Sequence, residues 1–329
     1  MTPQTAPVSL ADIQLPLRPR LERVQQELRR VVEADFGLIS EVNAHLFQTQ
    51  GKLFRPTLLL LSDEATGGPD PRATTLAAVV ELIHVATLVH DDSVDHSVLR
   101  RGMPTINSLF SHQISVIMGD YLYSRAVIEL VGLGDLEPLR VLSRVTNEMT
   151  VGEMRQLLAH DPLRYSEEDY DLLIQSKTAS LVSGACEVGA LRAAPEERLA
   201  LRRFGEALGM AFQIVDDLLD YVGDATVTGK PTGSDLREHK VTLPLIAALP
   251  KMGGADQRRV EGLLRAPEPT DAQIQAVVDA VAEAGGLDYA RERALRLAEQ
   301  ADAELDRLSP SPARDALRAS IAYVVDRRR

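Results

Sequence analysis

Tryptophan is absent from the 329 residues, and cysteine occurs once, at position 186. A single thiol rules out an intrachain disulfide and with it the small stapled folds of secreted proteins. The expected setting is the reducing cytoplasm. Aromatic residues make up 4% of the chain. Alternating β-branched runs bounded by turn signals are missing, as are repeats of fixed period and low-complexity linkers, so a sheet architecture is not expected. The opening "MTPQTAPVSLADIQLP" has neither the basic start nor the apolar core of a signal peptide. No apolar run reads as long enough to cross a bilayer, because the best candidate contains Glu81 and His84 and ends in aspartates. Stable membrane insertion is therefore not expected. Positive charge is in deficit, with a formal net charge of −12. That balance argues against nucleic acid or an anionic membrane surface as a partner, and an anionic substrate would need a local basic patch.

What remains is abundant Ala, Leu, Arg and Glu, with 45% hydrophobic and 26% charged residues. This composition favours helix and suffices for a large core. The first sixteen residues, rich in Pro and Thr, read as a loose arm. Residues 17–329 read as one large all-α domain. "RLERVQQELRRVVEADFGLISEVNAHLF" is amphipathic to near Gly51, and "DPRATTLAAVVELIHVATLVHDDSVD" is apolar on most faces, as a central helix would be. "SEEDYDLLIQSKTASLVSGACEVGAL" opens with a capping pattern, Ser166 followed by Asp169. The stretch from Pro195 to Gly223 has the Pro-first, Gly-last asymmetry of a helix. Further helices are expected near 241–250, 270–285, 287–307 and 311–326.

Against this background "VHDDSVDHSVLRRGMPT" is anomalous, with Asp91, Asp92 and Asp95 clustered ahead of Arg100 and Arg101. The spacing recurs in "IVDDLLDYVGD" as Asp216, Asp217 and Asp220. On a helix, residues four apart share a face with Cβ atoms about 5–6 Å apart. Such carboxylates repel one another. A hard divalent cation resolves the repulsion, and Mg²⁺ takes a few carboxylates and completes its shell from water and substrate phosphates. One such motif could be a solvated helix face. Two, each continuing an apolar helix, point to metal.

The bases supply the phosphate side. Lys52 and Arg55 lie in "GKLFRP", Lys177 and Thr178 in "QSKTASL", and Lys230 and Lys240 in "TGKPTGSDLREHKVTLP". Each alone reads as a surface charge; as a set flanking the acids they suit a polyanion. Gly51, Gly102 and Gly229 read as turn formers. His84, two helical turns before Asp91, points toward the acids or is simply a core histidine.

Together "GKLFRP", "HDDSVDHSVLRRG", "KTA", "FQIVDDLLDYVGD" and "GKPTGSDLREHKVTLP" resemble the trans-polyprenyl diphosphate synthases, in order and spacing, from about residue 20 to the C-terminus. The resemblance implies the isoprenoid synthase fold, a single helical bundle around a central cavity, most often as a homodimer. It implies three Mg²⁺ ions, with Mn²⁺ able to substitute. Asp91, Asp95 and Asp216 would be direct ligands, and Asp92, Asp217 and Asp220 water-mediated or supporting ones. Arg100, Lys177, Thr178, Gln213, Lys230 and Lys240 would contact an allylic diphosphate. Gly51, Lys52, Arg55, His84 and Arg101 would hold isopentenyl diphosphate without metal. The implied catalytic group is Asp91, Asp92, Asp95, Lys177, Asp216 and Lys230.

The implied reaction is ionisation of the allylic diphosphate, attack by the isopentenyl double bond and loss of a proton, with water excluded. A product tunnel would run back along the first aspartate helix, past Thr87 and Ala86 and then Ile83. Bulky aromatics there give short products in the family. The small residues here lead us to expect a long chain of the kind used for quinone tails; close packing against a neighbouring helix is the other use for them, and geranylgeranyl or farnesyl diphosphate the other products. His239 stands where the family commonly has Gly, which puts the Lys240 contact in question. The terminal "DRRR" resembles tails that close the site in some relatives, or is solvated. The rival readings are a terpene cyclase, which would carry Asn, Ser and Glu in its second motif, a non-catalytic subunit, which would have lost aspartates, and a phosphohydrolase, which would need a group to activate water.

Overall fold

The structure is a computed structural model that describes residues 8–48, 51–100, 102–158, 164–222 and 232–326. Two long helices organise it. The apolar run before the first aspartates forms α5, Ala73–Val94, and the run through the second forms α11, Pro195–Val222. Helix α5 buries residues on nearly every side, including Leu76, Val80, Ile83 and Ala86, and so occupies the middle of the bundle. It packs against α2 (Arg18–Val32), α4 (Phe54–Ala65), α7 (His112–Gly132) and α10 (Ser180–Gly189).

Helix α5 is long and apolar enough to cross a membrane, against the reading of the sequence, but most of that stretch is buried against other helices. The expected interruptions do not act: Glu81 is buried inside the bundle, and His84 is half-buried.

Helix α11 begins at Pro195, as its sequence predicts, and packs against α10, α16 (Gly286–Leu305) and α17 (Pro312–Val325). Gly205 and Gly209, one turn apart, let it approach closely. A Cβ on Gly205 would stand 2.8 Å from the Ser183 Cα, and one on Gly209 2.6 Å from the Ala179 Cα. Ala179 ends a five-residue π-helical turn, Gln175–Ala179, between α9 (Glu167–Ile174) and α10. Such turns interrupt helices mostly at functional sites, and this one carries Lys177 and Thr178.

Several expectations need correcting. The N-terminal arm is not loose over its whole length. A capping box between Ser9 and Asp12 starts α1, Leu10–Gln14, and Ile13 and Leu17 are buried. Gln14 donates to the Lys52 carbonyl at 2.8 Å and to Thr57 Oγ1 at 2.9 Å, tying the segment to "GKLFRP". The amphipathic stretch before Gly51 is two helices, α2 and α3 (Gly37–Leu46), because the chain turns extended at Glu33. The Asn43 amide donates to the Val32 carbonyl at 2.7 Å and closes the break. A small antiparallel pair, β1 (Leu99–Arg100) and β2 (Met103–Pro104), turns through Gly102 at φ +77°. Short α6, Ile106–Leu109, leads into α7, and α8, Leu136–Leu158, flanks the π turn. The capping box of Ser166 and Asp169 forms as read.

Beyond the main core lies a smaller one. It is built from Leu236, Leu245, Val260, Leu263, Val277 and Val281, with Tyr221 from the end of α11. Short α12 (Ser234–Arg237), α13 (Leu243–Ala248), α14 (Gly254–Arg265) and α15 (Asp271–Glu283) contribute to it.

Substituting Gly209→Ala should test the close approach. The better helix propensity of Ala, about 1 kcal/mol, is outweighed by overpacking of about 1–3 kcal/mol. We expect net destabilisation in urea unfolding; a gain in stability would mean that the π turn yields freely.

Candidate active site

The two acidic motifs differ in what their carboxylates touch. On α5, Asp92 is buried, Asp91 half-buried and Asp95, which closes the helix, exposed. Arg100, from β1, places its Nε 2.8 Å from both oxygens of Asp92. The acids and bases of this segment are therefore not two separate clusters: the hairpin folds Arg100 back onto Asp92. Asp91 faces Lys177, whose Nζ lies 3.8 Å away. The same Nζ lies 2.6 Å from Glu153 and 3.2 Å from Gln156 Oε1, both on α8. Burial pushes the Asp91 carboxyl up to about 6; Lys177 and Arg100 oppose the rise, and Glu153 and Asp95 add to it.

On α11, Asp216 is exposed, whereas Asp217 is buried and occupied. Tyr170 of α9 donates its hydroxyl to Asp217 Oδ2 at 2.6 Å, and Gln213 Nε2 donates to Oδ1 at 2.8 Å. Burial, then Asp235, pushes the Asp217 carboxyl up to about 8, with Tyr170 and Gln213 opposing. Asp220 caps α12, accepting from the backbone N–H of Ser234 at 3.1 Å and of Asp235 at 3.0 Å. Both residues thus have supporting contacts within the protein. Asp235 is pushed up to about 7 by burial and by Asp220.

Lys240 lies between the first motif and the acids of the α12 segment. Its Nζ pairs with Glu238 at 2.6 Å and also feels the charges of Asp95 and Asp235. His239, next to it, adopts φ +58°, the left-handed region that Gly enters without penalty and other residues enter at about 1–2 kcal/mol. The ring offsets this by bonding through Nε2 to the Ala266 carbonyl at 2.8 Å, while the Lys240 N–H bonds the Asp235 carbonyl at 2.8 Å. His at this position therefore keeps the backbone turn of a Gly and adds an anchor.

The "GKLFRP" segment meets α5 one turn before His84. A Cβ on Gly51 would stand 2.9 Å from Glu81 Oε1, at the end of a side chain that would have to move aside. Leu53 caps α4 in the left-handed region at φ +50°, between exposed Lys52 and half-buried Arg55. His84 is half-buried on α5. Thr178 donates to Gln213 Oε1 at 2.9 Å. Ile83 and Ala86 are 1% and 3% exposed, so the structure is closed around them, while Thr87 is half-buried. Arg101, Gly229 and Lys230, and the terminal arginines from 327, lie outside the described residues.

Four residues at this site escape a reading of the sequence. Glu153 and Gln156 look like any polar residues on an amphipathic helix. Tyr170 sits in an acidic run that reads as a solvated helix start. Asp235 had a signal, an acid in the same Gly-rich loop as Lys230 and Lys240.

The donor set suits a hard cation. It offers carboxylate oxygens without thiol, and burial makes the Asp91 carboxyl costly to ionise unless a cation joins it. Among the described residues no three such side chains form a ready-made metal group.

A helical bundle with two acidic helix segments and lysines set among the acids is an isoprenoid synthase fold. Residues 37–281 match Polyprenyl synthetase, and the chain belongs to that family, making it a polyprenyl diphosphate synthase and a prenyltransferase. It is 39% identical over 96% of its length to the all-trans-nonaprenyl-diphosphate synthase (geranyl-diphosphate specific) of Rhodobacter capsulatus, covering 97% of that protein. Identity to the octaprenyl diphosphate synthase of Escherichia coli is 38%, over 87% of this chain and 89% of that one. Among solved structures, the polyprenyl synthase of Caulobacter crescentus, complexed with calcium and isoprenyl diphosphate, superposes with a TM-score of 0.92 at 33% identity. That match covers 98% of this chain and 99% of the other.

The raised carboxyls fix the sign of a pH effect. Asp235 binds its proton more tightly folded, near 7, than at its ordinary value of 3.8. Between those values the folded state holds more protons than the unfolded one, so its contribution to stability falls as pH rises. Asp235→Asn should melt higher than the native protein near pH 8 and level with it near pH 4. A gain that is the same at both would refute the buried-charge account. By the same logic Mg²⁺, which needs ionised carboxylates, should raise the native melting temperature more near pH 8 than near pH 5.

Proposed function

We propose that this enzyme condenses isopentenyl diphosphate with an allylic diphosphate, repeatedly, to make a long-chain trans-polyprenyl diphosphate of the kind used for quinone side chains. The observation that carries the reading is the sharing of cations: Lys177 lies beside Asp91 and Lys240 within the field of Asp95 and Asp235. Lysines placed among the acids in this way suit a receptacle for a diphosphate and divalent ions.

Mg²⁺ held by Asp91, Asp95 and Asp216, with Mn²⁺ as substitute, would neutralise charge developing on the leaving diphosphate. The protein's own groups do the rest. Lys177, Lys240 and Thr178 bind the allylic diphosphate, and Arg100, held on Asp92, points its charge at the same region. As the allylic C–O bond breaks, the bonding pair leaves with the diphosphate and the lysines meet the new charge. Lys52, Arg55 and His84 hold isopentenyl diphosphate so that its double bond faces the cation, forming the new C–C bond. A proton then passes to the departed diphosphate. The tightly packed helices α5 and α11 keep water from the cation.

Long products follow from the side chains below Asp91. Thr87 and Ala86 leave little bulk in the path of the growing chain, and Ile83 is the first large side chain it would have to displace. The names of two of the relatives quoted above, nonaprenyl and octaprenyl synthases, favour the same length class.

A second copy of the chain is the proposed partner. Ile117 and Ile128 of α7 and Val151, Met154 and Leu157 of α8 are exposed and apolar, and the latter three recur every third residue. A stripe on two adjacent helices is the kind of surface a homodimer covers.

Incubation with Mg²⁺, farnesyl diphosphate and excess radiolabelled isopentenyl diphosphate should give alcohols well beyond geranylgeraniol after dephosphorylation. Ala86→Phe should shorten the ladder by several units without abolishing turnover. A native ladder that stops at geranylgeraniol would overturn the long-chain reading, and no incorporation with any primer would favour a non-catalytic subunit. Sedimentation should show twice the 36.0 kDa chain mass, reduced toward the monomer by Met154→Glu.

A further inference from the structure

The bond between Tyr170 and Asp217 has a use beyond filling a buried space. Tyr170 is 2% exposed and lies on α9, outside both acidic motifs and outside the lysine-bearing turn. Its position is fixed from below by the Ser166–Asp169 capping box, and its own N–H bonds the Ser166 carbonyl at 3.0 Å. From this anchor a directed series of bonds runs toward the substrate groups. The Tyr170 hydroxyl donates to Asp217 Oδ2 at 2.6 Å, and Gln213 Nε2 donates to the other oxygen at 2.8 Å. Thr178, on the π turn, donates to Gln213 Oε1 at 2.9 Å.

A side-chain amide has an acceptor end and a donor end of nearly equal size, and its surroundings decide which way round it sits. With the phenol donating to one carboxylate oxygen, Asp217 presents the other as an acceptor, and only the nitrogen end of Gln213 can answer it. The oxygen end is thereby committed to Thr178. One of the two Gln213 N–H bonds is taken by Asp217, and the second is left as a donor. Without the phenol, the Asp217 side chain would lose one of its two fixed partners and could swing, so the amide it holds would be less closely placed.

We propose that Tyr170 is a positioning residue for the allylic diphosphate: acting through Asp217, it holds in place the Gln213 amide, whose second N–H donates to a phosphate oxygen. The inference rests on the function proposed above, because it takes that diphosphate as the ligand of the Gln213 amide. It separates Asp217 from its neighbour Asp216. Asp216 faces outward, and Asp217 transmits the phenol's hold to the amide.

The test uses the full-length protein and two readouts. Calorimetric titration of inorganic diphosphate in the presence of Mg²⁺ should show Tyr170→Phe binding about tenfold more weakly than the native protein, as expected for loss of one hydrogen bond to a charged group. In steady-state assays the KM for the allylic substrate should rise by a similar factor, while the KM for isopentenyl diphosphate stays within about twofold. A role confined to holding the fold would move both KM values together, in step with the melting temperature. Either that outcome or unchanged diphosphate binding would overturn the proposal.

Asp217→Asn supplies the second variant. If Tyr170 acts through Asp217, the double substitution should bind diphosphate about as weakly as Asp217→Asn alone, whereas full additivity would overturn the route. Should the native protein itself bind no diphosphate, the functional reading falls and this inference with it. Native binding that survives intact in Tyr170→Phe removes this inference alone.

Discussion

Carboxylates crowded into a partly buried space repel one another, and the rest of this structure is arranged around that repulsion. Helices α5 and α11 project the acids, and burial raises the proton affinity of Asp91, Asp217 and Asp235 well above the ordinary carboxylate value. Nothing in the core needs such a gathering; a leucine at the same places would pack at lower cost. The protein tempers it with a few well-placed partners, Arg100 on Asp92, Lys177 beside Asp91 and Lys240 near Asp95. The balance left over is negative, and it is what draws in divalent ions and, with them, a diphosphate.

The scaffold explains how so much charge is held. Close packing at Gly205 and Gly209 fixes α11 against α10 and the π turn. The turn brings Lys177 to α5 and α8 and Thr178 to α11 in adjacent positions. A regular α-helix rotates consecutive side chains by a constant angle, and the extra residue in a π turn changes that angle where two functional groups must reach different neighbours.

The acidic motifs, the lysines and the all-helical fold are legible because their signals are local. A repeated spacing of aspartates at the end of an apolar run announces both a buried helix and a charged end. What is not legible is set by distant contacts. Tyr170 and Asp217 are 47 positions apart, and nothing in "SEEDYDLL" marks its tyrosine as buried against an acid. The same holds for Glu153, one acid among several on α8 until the fold delivers Lys177 to it. The N-terminal arm was misread for a related reason: its Pro and Thr content suggests mobility, but Ile13 and Leu17 find a groove that only the folded bundle provides. The fused helix before Gly51 reflects a break at Glu33 that has no Gly or Pro to announce it. His239 shows the opposite case, where a departure from the family's pattern suggests lost geometry and the ring instead secures it.

That anchor has a consequence for how the enzyme can change over time. Through His239 and Arg237 the Lys240 segment is fastened to the linker after α14, Arg237 donating to the Pro269 carbonyl at 3.2 Å and pairing with Asp271 at 2.6 Å. The small core of α14 and α15 that supports this linker supplies none of the candidate site residues. Substitutions within it can therefore shift the resting position of Lys240 while leaving every aspartate in place. Selection has there a remote adjustment for the placement of this lysine among the acids, reachable by ordinary variation in apolar side chains.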